Sequence, residues 1–241
     1  MRKLVLFDID GTLVLTGGAG VRALNRACAA LVGHANALAG IPVAGRTDPS
    51  ILADVAARAG WTLDDELLGV LRDQYIANLR EEIESPAPIA PTAASPGMRA
   101  SVKAVMPGIR ELLDALHQRE DVFLGLLTGN FEAGARIKLD HFDLWRYFRC
   151  GAYGDDAADR NALVPVALRR ARRGGLPDIP PDDILVVGDT PHDIACARAS
   201  GAVPVGVATG GFTVDELRAT GAELVFADLS DTEAFLKLVD G

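Results

Sequence analysis

Cysteine is scarce in this chain: there are three in 241 residues, Cys28, Cys150 and Cys196, far apart and with no CxxC pair. An odd, scattered set argues against a disulfide scaffold or a structural zinc site and fits a reducing cytosol, so a cytoplasmic location is expected. The four histidines, His34, His117, His141 and His192, show no ligand spacing and read as surface or packing residues. Excess positive charge is missing too. Lysine and arginine number 24 against 33 aspartates and glutamates, a net charge of −9. Such a chain repels nucleic acid and anionic lipid, so neither is expected as a partner. An anionic substrate stays open, because local cations override the net field at short range. No long apolar run occurs. The first is broken by Asp8 and Asp10, which leaves neither a signal peptide nor a membrane span. There is no internal repeat, and the one biased tract is "SPAPIAPTAASPG" at 85–97.

What is present is ordinary in bulk, 49% hydrophobic and 24% charged, with ample length for a sizeable core. Residues 3–8 predict a short strand covered on both faces, since polar alternation is lacking. From Gly17 to about Leu79 the apolar spacing is helical: Val21, Leu24, Cys28 and Leu31, then Ile51, Leu52, Val55 and Ala59, then Leu67, Leu68, Leu71, Tyr75 and Leu79. Asp48 before Pro49 reads as a helix start. The 85–97 tract reads as a loop. Beyond it strands and helices alternate. Ile109 to Leu116 is a helix, "VFLGLLTGN" a strand and turn, and 161–173 a helix. "ILVVGDT" is a strand, 191–200 a helix, and "VPVGVAT" and "LVFAD" are strands. This pattern predicts an α/β fold, a Rossmann-like parallel sheet with helices on both faces, interrupted after its first strand by an all-α insert. The expected division is a core of 1–15 and 105–241, a helical unit of 16–84, and a proline-rich linker of 85–104.

Three strand ends carry oxygen donors. "LVLFDIDGTLV" supplies Asp8 and Asp10, "LLTGN" supplies Thr128, Gly129 and Asn130, and "VVGDTPHD" supplies Asp189 and Asp193. Ligands of open parallel sheets bind beyond the carboxyl ends of the strands. If these strands are neighbours, four carboxylates and a hydroxyl share one crevice. Two like charges about 4 Å apart repel by roughly 4 kcal/mol at an effective dielectric near 20. A hard divalent cation relieves this, and an oxygen-only donor set points to Mg²⁺ rather than zinc. The metal then admits an anion such as phosphate. Each piece alone has a plainer reading: Asp10-Gly11 or Thr128-Gly129 as turns, and Thr190, Pro191 and Asp193 as a helix start. The conjunction favours a site.

The three motifs "DIDGT", "LLTGN" and "GDTPHD", in this order, resemble those of the haloacid dehalogenase superfamily of hydrolases. The core resemblance covers 1–15 and about 105–241. The helical insert, with "GRTD" at 45–48, is similar to the mobile cap of the phosphoglycolate phosphatase-like branch. The resemblance implies roles. Asp8 is the nucleophile that forms an aspartyl-phosphate. Asp10 is general acid and then general base, with its carbonyl on Mg²⁺. Thr12 holds their loop, Thr128 and Gly129 bind phosphate oxygens, and Asn130 lies beside them. Asp189 ligates the metal, with Asp193 as a further or more distant ligand. The family usually has a lysine between the second and last motifs, which this chain lacks there. Arg160 stands near that place, with Lys138 and Lys103 as worse-placed substitutes, and arginine keeps the charge with a different shape. Arg46 is a candidate for the substrate's far end.

Asp10 favours ester chemistry over dehalogenation, because a leaving alkoxide needs a proton and a leaving halide does not. The expected activity is a Mg²⁺-dependent phosphatase on a small phosphorylated metabolite. A sugar-phosphate mutase using the same intermediate is the alternative. A phospho-accepting signalling receiver fits less well, since its acceptor and acidic pair lie on different strands and it has no insert. "TGGAG" at 16–20 lacks a P-loop lysine and reads as a hinge. "RRARR" at 169–173 reads as a helix end before two glycines. Monomer and homodimer both stay open.

Overall fold

The computed structural model describes residues 2–33, 35–86 and 102–240. His34 and all but the first two residues of the 85–97 tract lie outside these, as does most of the expected 85–104 linker. Six parallel strands form one sheet: β1 (Lys3–Phe7), β4 (Val122–Leu127), β5 (Cys150–Ala152), β6 (Ile184–Gly188), β7 (Val203–Val207) and β8 (Leu224–Phe226). Their order is β5-β4-β1-β6-β7-β8. The strands that carry the three motifs are therefore immediate neighbours, with β1 in the middle. Phe7 is level with Leu126 of β4 and Val187 of β6, so all three motifs leave the sheet at one height. The sheet reverses its order at β1, and the crevice of such a fold opens there.

Every residue of β1 is buried, as expected for a strand covered on both faces. Val5 and Phe7 enter one apolar cluster with Ile109, Leu112 and Leu113 of α4 (Ile109–His117) and Phe235 of α9 (Thr232–Asp240). Leu4 and Leu6 enter another, with Val164 and Ala167 of α6 (Leu163–Arg173) and Cys196 of α7 (Pro191–Ala199). Two further helices belong to this core, α5 (Glu132–His141) and α8 (Val214–Ala219).

The segment after β1 is helical, as its spacing predicts: α1 (Ala19–Val32), α2 (Asp48–Arg58) and α3 (Asp65–Glu84). Leu24, Cys28, Ile51, Leu52, Val55, Leu71, Tyr75 and Leu79 form its own apolar cluster, to which Phe131 is added from beyond β4. An unforeseen antiparallel ribbon, β2 (Val14–Thr16) with β3 (Lys103–Val105), stands where the chain enters and leaves this segment. The Lys103 ammonium donates to the carbonyls of Ile83 and Ser85 at the end of α3. Helix α2 starts one residue earlier than Asp48-Pro49 suggests. Thr47 is its cap and accepts from the Ser50 amide (3.3 Å), and Asp48 is its first helical residue. Thr47 already satisfies the helix end, which leaves the Asp48 carboxylate for the core. Helix α6 ends at Arg173 before Gly174, as read from "RRARR".

Candidate active site

Strand β1 passes Asp8 directly onto its neighbour, the Asp8 amide donating to the Val187 carbonyl at 2.9 Å. Gly11 then turns the chain with φ +88°, and a Cβ there would meet Asp189 Oδ2 at 2.5 Å, so the turn and the approach of Asp189 both require glycine. Two hydroxyls fix the loop. Thr209 donates to the Gly11 carbonyl (2.6 Å), and Thr12 donates to Asp189 Oδ1 (3.1 Å).

The two carboxylates of the first motif have different partners. Asp8 Oδ1 accepts from Arg160 Nη2 at 2.9 Å in a fully buried setting. Burial pushes its pKa up to about 6, more than the Arg160 charge pulls it down. Asp10 turns away from this pair. Its Oδ2 accepts from Lys138 Nζ (2.6 Å) and Asn130 Nδ2 (2.8 Å), and its side chain keeps 30% exposure. Thr128 Oγ1 accepts from both the amide and the side chain of Asn130, and among described residues it donates to none, so its proton is free.

One carboxylate oxygen each of Asp8, Asp189 and Asp193 lies within 4.8 Å of the others, all buried. Burial, and then the charges of Asp8 and Asp193, raise the Asp189 pKa well above the ordinary carboxylate range. Oxygen-only donors under mutual repulsion suit a hard divalent cation such as Mg²⁺. The members are not equivalent. Asp193 Oδ1 is taken by Arg160, and its Oδ2 accepts from the Thr190 amide and hydroxyl in the capping box at the start of α7. Asp8 and Asp189 retain free lone pairs and Asp193 stands behind them. The Asp10 carboxylate lies outside this trio, held by Lys138 and Asn130, in keeping with the expectation that Asp10 would offer a metal its backbone carbonyl and keep its carboxylate for proton transfer.

The basic residues sort themselves in the same way. Arg160 joins Asp8 and Asp193, and its Nη1 reaches the Gly45 carbonyl of the helical segment (3.2 Å). Burial opposes its charge, but Asp193 and Asp8 outweigh that and raise its pKa. Its Nε is the one buried side-chain polar atom without a partner among the described residues. Lys138 on α5, weighed from sequence beside Arg160 as a substitute for the family's lysine, serves Asp10 and Asn130, while Lys103 sits on the ribbon and bonds the end of α3. Arg46 lines the cavity, but its guanidinium is held by Asp54 (2.6 Å) and the Ser50 carbonyl (3.0 Å).

A fourth buried acid was not foreseen as part of the site. Asp48 accepts from the Phe131 amide (2.9 Å), and its own amide donates to the Gly129 carbonyl (2.7 Å). Burial pushes its pKa up to about 7, with Lys138 pulling the other way. The sequence cue was "GRTD", which marked the spot without its partner. A cavity of about 220 Å³ is lined by Asp8, Asp10, Thr128, Arg160 and Asp189 from the core and by α1, α2 and α3 from the helical segment.

A buried carboxylate cluster at the switch point of a parallel sheet, under a helical segment, is the ligand site of an α/β enzyme. The chain belongs to the haloacid dehalogenase-like hydrolase family, whose model matches residues 2–201. Across 248 residues it is 29% identical to a Dickeya dadantii protein named probable phosphatase IndB, covering 99% of this chain and 96% of that one. Across 231 residues it is 31% identical to the phosphoglycolate phosphatase of Rhodospirillum rubrum, covering 95% and 89%. A solved structure titled as a predicted phosphatase from Clostridium acetobutylicum shares the fold, with a TM-score of 0.68 at 18% identity over 98% of this chain and 99% of that one. Among the described residues no helix is long and apolar enough to cross a membrane.

Proposed function

We propose that the chain is a Mg²⁺-dependent phosphomonoesterase acting on a small phosphorylated metabolite through a phosphorylated Asp8. The observation that carries this reading is the division of labour at the end of β1. Asp8 sits in the acidic trio with Arg160, and Asp10 sits apart on Lys138, both lining one cavity. Asp8 Oδ1 is engaged by Arg160, which leaves Oδ2 to attack phosphorus. The bond from phosphorus to the alcohol oxygen breaks, and Asp10 gives that oxygen a proton. A water molecule then attacks the phosphorus of the acyl phosphate and Asp10 takes its proton, which returns Asp8 and releases inorganic phosphate. The free Thr128 hydroxyl and the Gly129 amide are the donors for phosphoryl oxygens. Asp8, Asp189 and the Asp10 carbonyl would hold Mg²⁺, which would supply charge neutralisation of the phosphoryl group. Lys138 and Asn130 fix Asp10 for both proton transfers. The names of the relatives, a phosphatase and a phosphoglycolate phosphatase, support the ester class. Three unpaired thiols support the cytosol as its compartment.

The test is phosphate release from small phosphomonoesters with Mg²⁺ and with EDTA, in wild type and Asp8→Asn. EDTA should silence the enzyme reversibly, and radiolabel from a phosphorylated substrate should remain on acid-quenched wild type only. A folded Asp8→Asn protein with wild-type turnover would falsify the covalent route.

A further inference from the structure

The cavity lining contains an apolar set that the phosphoryl chemistry does not use. Val21 and Leu24 of α1, Ile51 of α2, Tyr75 of α3, and Val43 and Phe212 from loops make up this set. All but Phe212 come from the helical segment, whereas the phosphoryl-facing groups come from strand ends. The cations of the lining are all engaged: Arg160 by Asp8 and Asp193, Lys138 by Asp10 and Asn130, and Arg46 by Asp54 and the Ser50 carbonyl. Acids are in excess there, with Asp8, Asp10, Asp48 and Asp189 all lining the cavity. A second anionic group on the substrate would enter without a cation to meet it, and an unpaired buried charge is strongly unfavourable.

One polar group in the apolar wall has no partner. Tyr75 is 1% exposed and lines the cavity, and its hydroxyl makes no hydrogen bond with any described residue. Gly20 keeps the neighbouring space open. A Cβ there would approach Lys138 Nζ to 3.1 Å and lie 3.8 Å from the Tyr75 hydroxyl. The hydroxyl is not sealed off as Arg160 Nε is but borders the cavity, so a ligand there can bond it.

We propose that the substrate is a phosphomonoester of an uncharged alcohol with an apolar face, bearing one further polar group that meets the Tyr75 hydroxyl. This rests on the phosphomonoesterase reading above. It sets the chain apart from an enzyme built for a phosphorylated carboxylic acid, although one relative bears the name phosphoglycolate phosphatase.

The experiment compares kcat/KM of the Mg²⁺-loaded enzyme for phosphoglycolate, isobutyl phosphate and 3-hydroxy-2-methylpropyl phosphate, with p-nitrophenyl phosphate as a generic ester. Isobutyl phosphate replaces the two carboxylate oxygens by methyl groups at nearly constant shape. It should exceed phosphoglycolate at least tenfold. The hydroxylated ester should have the lower KM of the two neutral ones, and Tyr75→Phe should bring the ratio of their KM values to about one. If phosphoglycolate leads, and Arg46→Ala abolishes its lead, Arg46 releases Asp54 to take the carboxylate and this inference is overturned while the phosphatase reading stands. Silence toward all four esters overturns both. An advantage of the hydroxylated ester over isobutyl phosphate that Tyr75→Phe leaves intact overturns the Tyr75 contact.

Discussion

Asp48 and Arg160 are the residues where burial and charge conflict most openly, and each gives a measurable consequence. The Asp48 pKa moves from 3.8 to about 7, chiefly by burial. Between pH 4 and 7 the native state therefore holds a proton that the unfolded chain has lost. Stability is present in full below about pH 4 and falls as pH rises toward and through 7. Asp48→Asn keeps an oxygen for the Phe131 amide and removes the charge. With Mg²⁺ saturating, its urea-unfolding free energy should decline less than that of wild type between pH 5 and 8, by a few kcal/mol. Equal slopes would show that Asp48 titrates normally. Arg160→Met leaves Asp8 and Asp193 buried without a cation, which should cost about 3–5 kcal/mol and all detectable turnover. Arg160→Lys should recover part of both, because one ammonium cannot serve Asp8, Asp193, Gly45 and Leu127 together. The site was legible at this scale where a motif spelled it out: Asp8, Thr128 and Asp189 each follow a buried strand, and strand ends announce themselves in sequence. The partner of the Asp10 carboxylate was not, because Lys138 lies 128 residues away. The partner of Asp48 was equally hidden, since Phe131 presents a backbone amide that carries no side-chain signature.

At the scale of elements, the start of α2 is bolted to the turn after β4. Asp48 bonds this turn at Gly129 and Phe131, and the Thr47 hydroxyl donates to the Ala158 carbonyl at 2.7 Å. Gly129 makes the approach feasible, because a Cβ there would collide with the carbonyl of Arg46. Gly129→Ala should push α2 off the turn at a cost of about 1–3 kcal/mol in local packing. The expected readout is a KM raised several-fold with lowered kcat and unchanged far-ultraviolet circular dichroism. Wild-type kinetics would mean that the turn and α2 move independently. The helices of this segment were legible because their apolar spacing runs for three turns or more. The ribbon was not, as strands of three residues are too short to show a period. Helix α5 hid for a different reason. Its sequence "EAGARIKLDH" opens with Gly134 close behind and buries a lysine, so no clean apolar stripe marks it, and Lys138 went unplaced with it. The start of α7 was readable because its capping box is local: Thr190, Pro191 and Asp193 suffice.

For the molecule as a whole, the parallel sheet and the interrupting helices followed from alternation alone. The strand order that makes β1 central did not, because it depends on which helices cross which face. That order brings three buried carboxylates of an already acidic chain to one point. Without a cation the fold must hold Asp8, Asp189 and Asp193 together against their repulsion, with Arg160 the one basic side chain among the described residues that pairs with the trio. Mg²⁺ should therefore stabilise the protein as well as activate it. At a hundred times its dissociation constant a ligand adds about 2.7 kcal/mol, which in a chain of this size corresponds to a rise in Tm of roughly 5–10 °C. Differential scanning fluorimetry with Mg²⁺ and with EDTA, in the absence of substrate, checks this independently of activity. Asp189→Asn removes a ligand and part of the repulsion at once. It should raise the Tm measured in EDTA and erase most of the response to Mg²⁺. A full response in that variant would move the cation away from Asp189, and a wild-type Tm indifferent to Mg²⁺ would leave the buried carboxylates without the partner that their geometry calls for.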